Sequence, residues 1–143
     1  MKRFVLDNSV TMRWLFGDGS PDDQRYATGV LDSIQDGNVI VPGIWSLEVA
    51  NVIARAETKF GLTEARSADF LHALQQMQIQ TDAITHQLAF GDIVQLARRY
   101  NLSAYDAAYL ELALRTGLPL ATLDDALRKA GKKAGVQLFA PAA

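Results

Sequence analysis

The sequence predicts an α/β protein: a three-layer α/β/α sandwich with a mostly parallel sheet of four or five short strands. Short apolar runs alternate along the chain with longer amphipathic segments, which is the pattern of a parallel sheet whose connections are helices. The clearest runs are apolar throughout rather than at every second residue. That continuity is typical of strands that helices cover on both faces.

Each predicted strand is a short apolar run that stops at polar or turn-forming residues. The first run ends at Asp7 and the second at Pro42. The third contains several polar residues, which makes it the least regular of the set. The predicted strands cover residues 4–6, 38–42, 79–84, 118–122 and 136–139.

Helices are predicted between these strands, with glycines and capping residues at their ends. Gly61 and Gly117 follow two of the amphipathic segments, and Thr63 is a capping residue before another. The predicted helices cover residues 10–16, 22–35, 44–60, a segment that begins after Thr63, 86–100, 103–116 and 124–130.

Length and composition restrict the class of protein. The 143 residues fit one domain spanning 1–143, and 49% apolar with 21% charged residues excludes a disordered chain, a collagen-like repeat and a coiled-coil rod. The absence of cysteine excludes disulfides, thiolate zinc sites and a cysteine nucleophile. With no membrane-spanning run and no signal-peptide core, we expect a cytoplasmic protein.

Four acidic residues lie where the sheet would place a ligand site. Ligands of open α/β sheets bind outside the carboxyl ends of the strands. Asp7 follows the first strand, Asp124 follows the strand at 118–122, and Glu48 lies early in the helix after the second strand. Asp106 lies in the first turn of the helix before the 118–122 strand and joins the others if that helix starts at the same edge.

Each of these acids also has an ordinary structural interpretation. Asp7 and either Asp124 or Asp125 are suitable N-caps. Ser103 and Asp106 match a capping box with Asp in place of Glu. Glu48 is surrounded by apolar residues, so capping explains it poorly, although a solvated helix face still explains it.

Taken together, the four acids predict a metal site. Several carboxylates at one edge repel one another, and a divalent cation removes that conflict. Mg²⁺ prefers oxygen ligands, and such sites hydrolyse phosphodiesters. His72 and His86 have no ligand spacing between them, so zinc chemistry is not expected and both are interpreted as helix-surface residues.

Four short motifs, in this order, resemble the PIN domain of the VapC type, the ribonuclease toxin of type II toxin–antitoxin pairs. They are residues 4–10 (FVLDNSV), 45–51 (WSLEVAN), 102–110 (LSAYDAAYL) and 118–124 (LPLATLD). Each motif is weak alone, but the ordered set covers almost the whole chain.

The resemblance implies a metal-dependent endoribonuclease with site residues Asp7, Glu48, Asp106 and Asp124. Asp7 and Asp106 would be the principal ligands of Mg²⁺ or Mn²⁺, and Glu48 and Asp124 would complete the shell through waters or a second ion. The adjacent Asp125 competes with Asp124 for that place. Supporting polar positions fall on Ser9, Asn51 and Thr122, for which a cap, a surface amide and a strand-end hydroxyl are equally good interpretations.

The resemblance also implies an RNA substrate, a homodimer and a VapB-like antitoxin whose C-terminal segment packs near the site. The aromatic residues of the N-terminal helices, mostly core, would offer their exposed parts to that partner; they are Trp14, Phe16, Trp45 and Phe60. Two alternatives remain open: a PIN-like module that binds RNA or protein without catalysis, and an aspartyl phosphotransfer domain with Asp7 as nucleophile. The latter commonly has a second Asp where this chain has Ser9.

The distribution of charged residues along the chain is consistent with the nuclease prediction, although the total charge is not in its favour. The net charge of -2 argues against a purely electrostatic nucleic-acid binder. Without the four site acids, 12 acidic residues face 14 basic ones. Some of these basic residues lie at Arg128, Lys129, Lys132 and Lys133, either as a solvated helix end favoured by the helix dipole or as a surface for RNA phosphates.

Overall fold

The computed structural model describes residues 2–141 and contains a four-stranded, all-parallel sheet. Its strand order is β3-β2-β1-β4, with β1 central between β2 and β4. Phe4 of β1 is in register with Val39, and Val5 is in register with Leu120. The strands are β1 (Phe4–Leu6), β2 (Val39–Val41), β3 (Gln80–Thr81) and β4 (Leu120–Ala121).

Helices flank this sheet and connect its strands, which confirms the predicted α/β class. A 3₁₀ turn at Thr85–Leu88 and a π-helical turn at Ala89–Ile93 precede the fifth α-helix. The α-helices are α1 (Asn8–Phe16), α2 (Pro21–Asp32), α3 (Trp45–Phe60), α4 (Glu64–Gln76), α5 (Val94–Tyr100), α6 (Ala104–Thr116) and α7 (Asp125–Ala134).

The predicted strand at 136–139 is wrong. Gly135 ends α7 with φ 86°, and only an isolated parallel bridge joins Leu138 to Leu120. Two backbone hydrogen bonds of 2.9 Å, from Leu120 N–H to the Gln137 carbonyl and from Phe139 N–H to the Leu120 carbonyl, form this bridge, and the Phe139 ring stacks on Phe4 at 4.0 Å between centroids. The predicted strand at 79–84 is present only as Gln80–Thr81, whose side chains are exposed at the sheet edge.

The predicted helix at 86–100 is not continuous. It is divided into the 3₁₀ turn, the π-helical turn and the short α5. Gly91, a poor helix former, lies in the π-helical turn, where the Phe90 side chain is 98% exposed. By contrast α7 extends beyond the predicted residue 130 to Ala134, since Lys132 and Lys133 in its last turn favour the helix C-terminus.

The core lies between the central strand and α6. All three residues of β1 are fully buried, and α6 packs against this strand. Tyr109, Leu110 and Leu112 of α6 are also fully buried. Each side chain of this size contributes about 1.5–3 kcal/mol on burial, so α6, which carries Asp106 in its first turn, is firmly held against the sheet.

The strand order places a ligand crevice between β1 and β4. The chain leaves β1 toward β2 on one side, while β4 pairs on the other side of β1. This reversal is a topological switch point, where open α/β sheets bind ligands at the carboxyl ends of the strands. Asp7 follows β1 and Thr122 follows β4, so both lie at this crevice.

No helix within residues 2–141 has the length and apolar character needed to cross a membrane.

Candidate active site

Asp7 lies at the end of β1 and is 4% exposed. Its backbone N–H donates to the Ala121 carbonyl at 2.9 Å, which fixes the strand end against β4. Its Oδ2 accepts the hydroxyls of Ser9 at 2.5 Å and Thr122 at 2.7 Å. Burial raises the pKa of Asp7, and the nearby Asp124 raises it further, against the lowering effect of the two hydroxyls.

The same two hydroxyls organise the loop after β4. Ser9 Oγ accepts the Leu123 backbone N–H at 2.9 Å, and Thr122 Oγ1 accepts that of Asp124 at 3.0 Å. Asp124 is the N-cap of α7, since its Oδ2 accepts the Leu127 N–H at 2.9 Å. The polar residues at 9 and 122 therefore connect the first and last site acids.

Asp106 is half-buried in the first turn of α6, which Ser103 caps by accepting the Asp106 backbone N–H at 3.1 Å. Its pKa is raised from the ordinary 3.8 to about 6, first by burial and then by the charges of Asp7, Asp124 and Glu48. Its carboxyl group therefore lies within the field of all three other acids.

Glu48 reaches the site from the first turn of α3 and is half-buried. Its Oε1 accepts the hydroxyl of Tyr109 at 2.5 Å. Burial raises the pKa of Glu48, the Tyr109 hydrogen bond lowers it, and the charge of Asp7 raises it. Burial and the charges of Asp7 and Glu48 also raise the pKa of Tyr109, so its hydroxyl stays a donor.

We call Asp7, Glu48, Asp106 and Asp124 the acidic site. Neighbouring charges shift the pKa values of Asp7, Glu48 and Asp106. Within residues 2–141, all of these neighbouring charges belong to other acids of the same site. Without a compensating cation, bringing these carboxylates together costs free energy at neutral pH.

The donor chemistry of the acidic site fits a hard cation such as Mg²⁺. All four residues offer carboxylate oxygens, and Mg²⁺ is usually held by one or two carboxylates plus waters and substrate phosphates. Within residues 2–141, no group of three or more acidic or histidine side chains is placed to hold a metal ion together. An ion here would take one or two of these carboxylates directly and fill its remaining positions with waters or substrate oxygens.

The structure shows which of the predicted helix caps form. Asp7 occupies the N-cap position of α1 without a side-chain capping bond, because its carboxylate faces Ser9 and Thr122 instead. Asp124 caps α7 and also acts on the other acids, whereas Asp125 is exposed. Only the Ser103 half of the predicted capping box forms, since the Asp106 carboxylate faces the acidic site.

The remaining polar candidates lie outside this network. His72 and His86 are exposed helical residues, as predicted, and Asn51 is exposed on α3. The Arg128 side chain already has partners within the protein: its Nε donates to the Thr122 carbonyl at 2.8 Å, and its guanidinium lies over the Tyr26 ring at 5.2 Å. The exposed basic residues of α7 are therefore Lys129, Lys132 and Lys133, which share one face of the helix.

Sequence reasoning missed the partner of Glu48. Tyr109 stood within the third motif, but its role was not inferred because aromatic residues on an apolar helix are usually core. A signal was present: Tyr109 follows Asp106 by three residues, and residues three apart share one helix face. A polar tip on that face is directed toward the same side as the Asp106 carboxylate.

Comparisons with known proteins support the fold. A family model described as the PIN domain matches residues 4–133, while a search of curated proteins finds no match. PAE2754 from Pyrobaculum aerophilum superposes with a TM-score of 0.64 at 17% identity, covering 90% of this chain and 86% of that one. FitAcB from Neisseria gonorrhoeae gives 0.64 at 20% identity, covering 96% and 97%.

At these identities the two structures show a shared fold alone, whereas the family model spans most of the sequence. Its match includes β1, α3, α6 and the start of α7, the elements that carry the four site acids. The chain belongs to the PIN domain family.

Proposed function

We propose that this protein is a Mg²⁺-dependent endoribonuclease, with Mn²⁺ as a substitute ion, and the toxin of a VapC-type toxin–antitoxin pair. PIN domains are generally nucleases. The observation that carries the proposal is the placement of four carboxylates together at the switch point between β1 and β4, where Asp7, Asp124 and Glu48 all act on the half-buried Asp106. A divalent cation turns that repulsion into binding free energy.

In this proposal Asp7 and Asp106 hold the ion, while Glu48 and Asp124 complete its shell through waters. A bound Mg²⁺ activates water and stabilises charge on the leaving oxygen of a phosphodiester. Ser9 and Thr122 orient the Asp7 carboxylate, and the α7 capping bond leaves Asp124 only one oxygen for this purpose. The exposed Lys129, Lys132 and Lys133 give RNA phosphates a basic surface on the helix that begins at Asp124.

The experiment is RNA cleavage by matched variants. Purified protein with Mg²⁺ or Mn²⁺ is offered transfer, ribosomal and messenger RNA, with EDTA as the metal-free control. Asp7→Asn should abolish cleavage, whereas Asp125→Asn, at the exposed neighbour of Asp124, should retain it. Full activity of Asp7→Asn would overturn the site assignment, and metal-independent RNA binding without cleavage would favour the non-catalytic module.

The phosphotransfer alternative is disfavoured by the surroundings of Asp7. Such domains commonly have a second aspartate two residues after the nucleophile, whereas in this chain Oδ2 of Asp7 accepts two hydroxyls. Ser9, in the place of a second acid, is one of those two donors.

The proposed partners are a second copy of this chain and a VapB-like antitoxin in the cytoplasm. An apolar groove between α1 and α3 suits the antitoxin segment, because Phe60 is 81% exposed at its edge. The groove is lined by Phe16, Asp18, Val52, Arg55, Ala56 and Phe60. Phe60→Ser should weaken binding of the product of a neighbouring antitoxin gene in pull-down titrations while leaving RNA cleavage intact. Light scattering tests the homodimer.

A further inference from the structure

Tyr109 is the buried group in contact with the acidic site that the proposed chemistry leaves without a role. Its side chain is fully buried on α6, yet its hydroxyl reaches across to α3 and donates to Glu48 Oε1 at 2.5 Å. Within residues 2–141, the Glu48 carboxylate accepts no other hydrogen bond. The second oxygen of Glu48, Oε2, is left for solvent or a ligand.

We infer that Tyr109 is a positioning residue: its hydroxyl holds Oε1 of Glu48 so that Oε2 is presented to the divalent cation or its waters. This inference rests on the proposed function and extends it by one residue and one atom. It also implies that Glu48 offers only one carboxylate oxygen to the ion or its waters, because the other oxygen accepts the Tyr109 hydroxyl.

The physical reason is the flexibility of glutamate. Fixing a Glu side chain costs up to about 1.5–2 kcal/mol of rotamer entropy. Tyr109 offsets this cost before any ligand arrives, because its own ring is fully buried in the core. A rigid donor therefore sets the direction of a flexible acceptor.

Hydroxyl donors also act on Asp7, the acid at the end of β1. Asp7 Oδ2 accepts the hydroxyls of Ser9 and Thr122, so hydroxyl groups orient both carboxylates. A hydroxyl donor fixes the geometry of a carboxylate without neutralising its charge, whereas a lysine or arginine would remove the charge that a cation needs. The choice of donor thus preserves the negative potential of the acidic site.

The competing explanation is that Glu48 merely satisfies a buried phenol, since buried hydroxyls need a partner. The two explanations differ in their effect on metal affinity. Tyr109→Phe keeps the ring and removes the hydroxyl. Tyr26→Phe is the matched control, because it also removes a tyrosine hydroxyl, one that donates to the Phe139 carbonyl at 2.7 Å.

The experiment is calorimetric titration with Mn²⁺ in the absence of RNA, on full-length folded variants checked by circular dichroism. Tyr109→Phe should weaken Mn²⁺ binding by about 10-fold, as loss of a ligand-orienting partner does, and Tyr26→Phe should leave it unchanged. In the Glu48→Ala background, adding Tyr109→Phe should have no further effect, because Tyr109 acts through Glu48.

Unchanged Mn²⁺ affinity in Tyr109→Phe, or equal losses with and without Glu48, would overturn the inference. If Tyr109→Phe does not fold, Glu48→Gln is titrated with Mn²⁺ in its place. This variant keeps an oxygen acceptor for Tyr109 and should lose Mn²⁺ affinity as Glu48→Ala does. Wild-type protein that cleaves RNA with Mn²⁺ while Tyr109→Phe binds it normally refutes the inference alone. Wild-type protein that neither binds Mn²⁺ nor cleaves RNA refutes the proposed function and the inference with it.

Discussion

Two groups of carboxylates each include acids that follow strands of the same parallel sheet, but the two groups have opposite kinds of partner. In the acidic site, Asp7 follows β1 and Asp124 follows β4, and hydroxyls, a backbone amide and other acids surround them. Asp82 follows β3 in the same way, yet Arg115 binds it through two hydrogen bonds of 2.7 and 3.1 Å. We call Asp82, Glu111 and Arg115 the ion-paired cluster.

In the ion-paired cluster one cation is shared by two carboxylates. Arg115 also binds Glu111 through Nε at 2.8 Å and Nη2 at 3.0 Å, and the side chains of Asp82 and Glu111 are 8% and 5% exposed. The Arg115 hydrogen bonds hold the pKa of Asp82 below its ordinary value, whereas burial and repulsion raise that of Asp106. A carboxylate at the sheet edge therefore indicates a ligand site only where no internal cation neutralises it.

Removing one carboxylate of the acidic site should give the largest effect on function. Asp106→Asn should lower RNA cleavage by roughly 10²–10⁴-fold, the range in which a positioned acid–base or ligand group contributes, because a proposed principal ligand is lost. Initial rates at saturating Mg²⁺ measure this effect. Glu111→Gln, in the ion-paired cluster, is the matched control and should retain wild-type cleavage per folded molecule.

Removing the cation of the ion-paired cluster should give the largest effect on stability. Arg115→Leu leaves the carboxylates of Asp82 and Glu111 without their charged donor, which should lower the free energy of unfolding by about 1–3 kcal/mol because Arg115 is partly exposed. Urea unfolding followed by circular dichroism checks this value. Cleavage by the folded fraction should be unchanged, and a loss of cleavage larger than the loss of folded protein would contradict the separation of the two clusters.

The two clusters should also respond to pH in opposite directions. The pKa of Asp106 is raised from 3.8 to about 6, so its folding contribution is most favourable below 3.8 and is lost as pH rises through 6. The pKa of Asp82 is lowered, so its contribution is present above 3.8 and is lost as pH falls further.

Without metal, Asp106→Asn should therefore be more stable than wild type at pH 7, by about 1 kcal/mol after allowance for solvent screening of a half-buried group. The difference should shrink between pH 6 and 4. Unfolding in EDTA across this range tests the sign, and a variant that is less stable at pH 7 would show that repulsion does not dominate the acidic site.

The sequence was sufficient for the parts of the fold that local patterns determine. Residues 4–6 form a buried strand because they are apolar throughout, and Thr63 and Ser103 cap the helices predicted after them. It overestimated the strand at 136–139, where pairing with β4 is limited to a single bridge at Leu138 and the Phe139 ring stacks on Phe4. It also failed at 86–100, where one apolar pattern is accommodated by three helical geometries.

For the candidate site, sequence position indicated four candidate acids but could not identify their hydrogen-bond partners. The choice between Asp124 and Asp125 depended on which of them faces Asp7, and the contact between Glu48 and Tyr109 joins residues 61 apart in the chain. Likewise, nothing local to Asp82 signalled that Arg115, 33 residues later, neutralises it. Such long-range pairings depend on tertiary structure.

The central claim is that the acidic site exists to bind a divalent cation, and Mn²⁺ titration of the wild-type protein by calorimetry tests it most directly. We predict saturable binding at pH 7 that weakens toward pH 5, because protons then compete for carboxylates such as Asp106. Asp7→Asn should bind far more weakly, and Asp82→Asn should bind as wild type does. Absence of binding to wild type, or equal binding to Asp7→Asn, would contradict the claim.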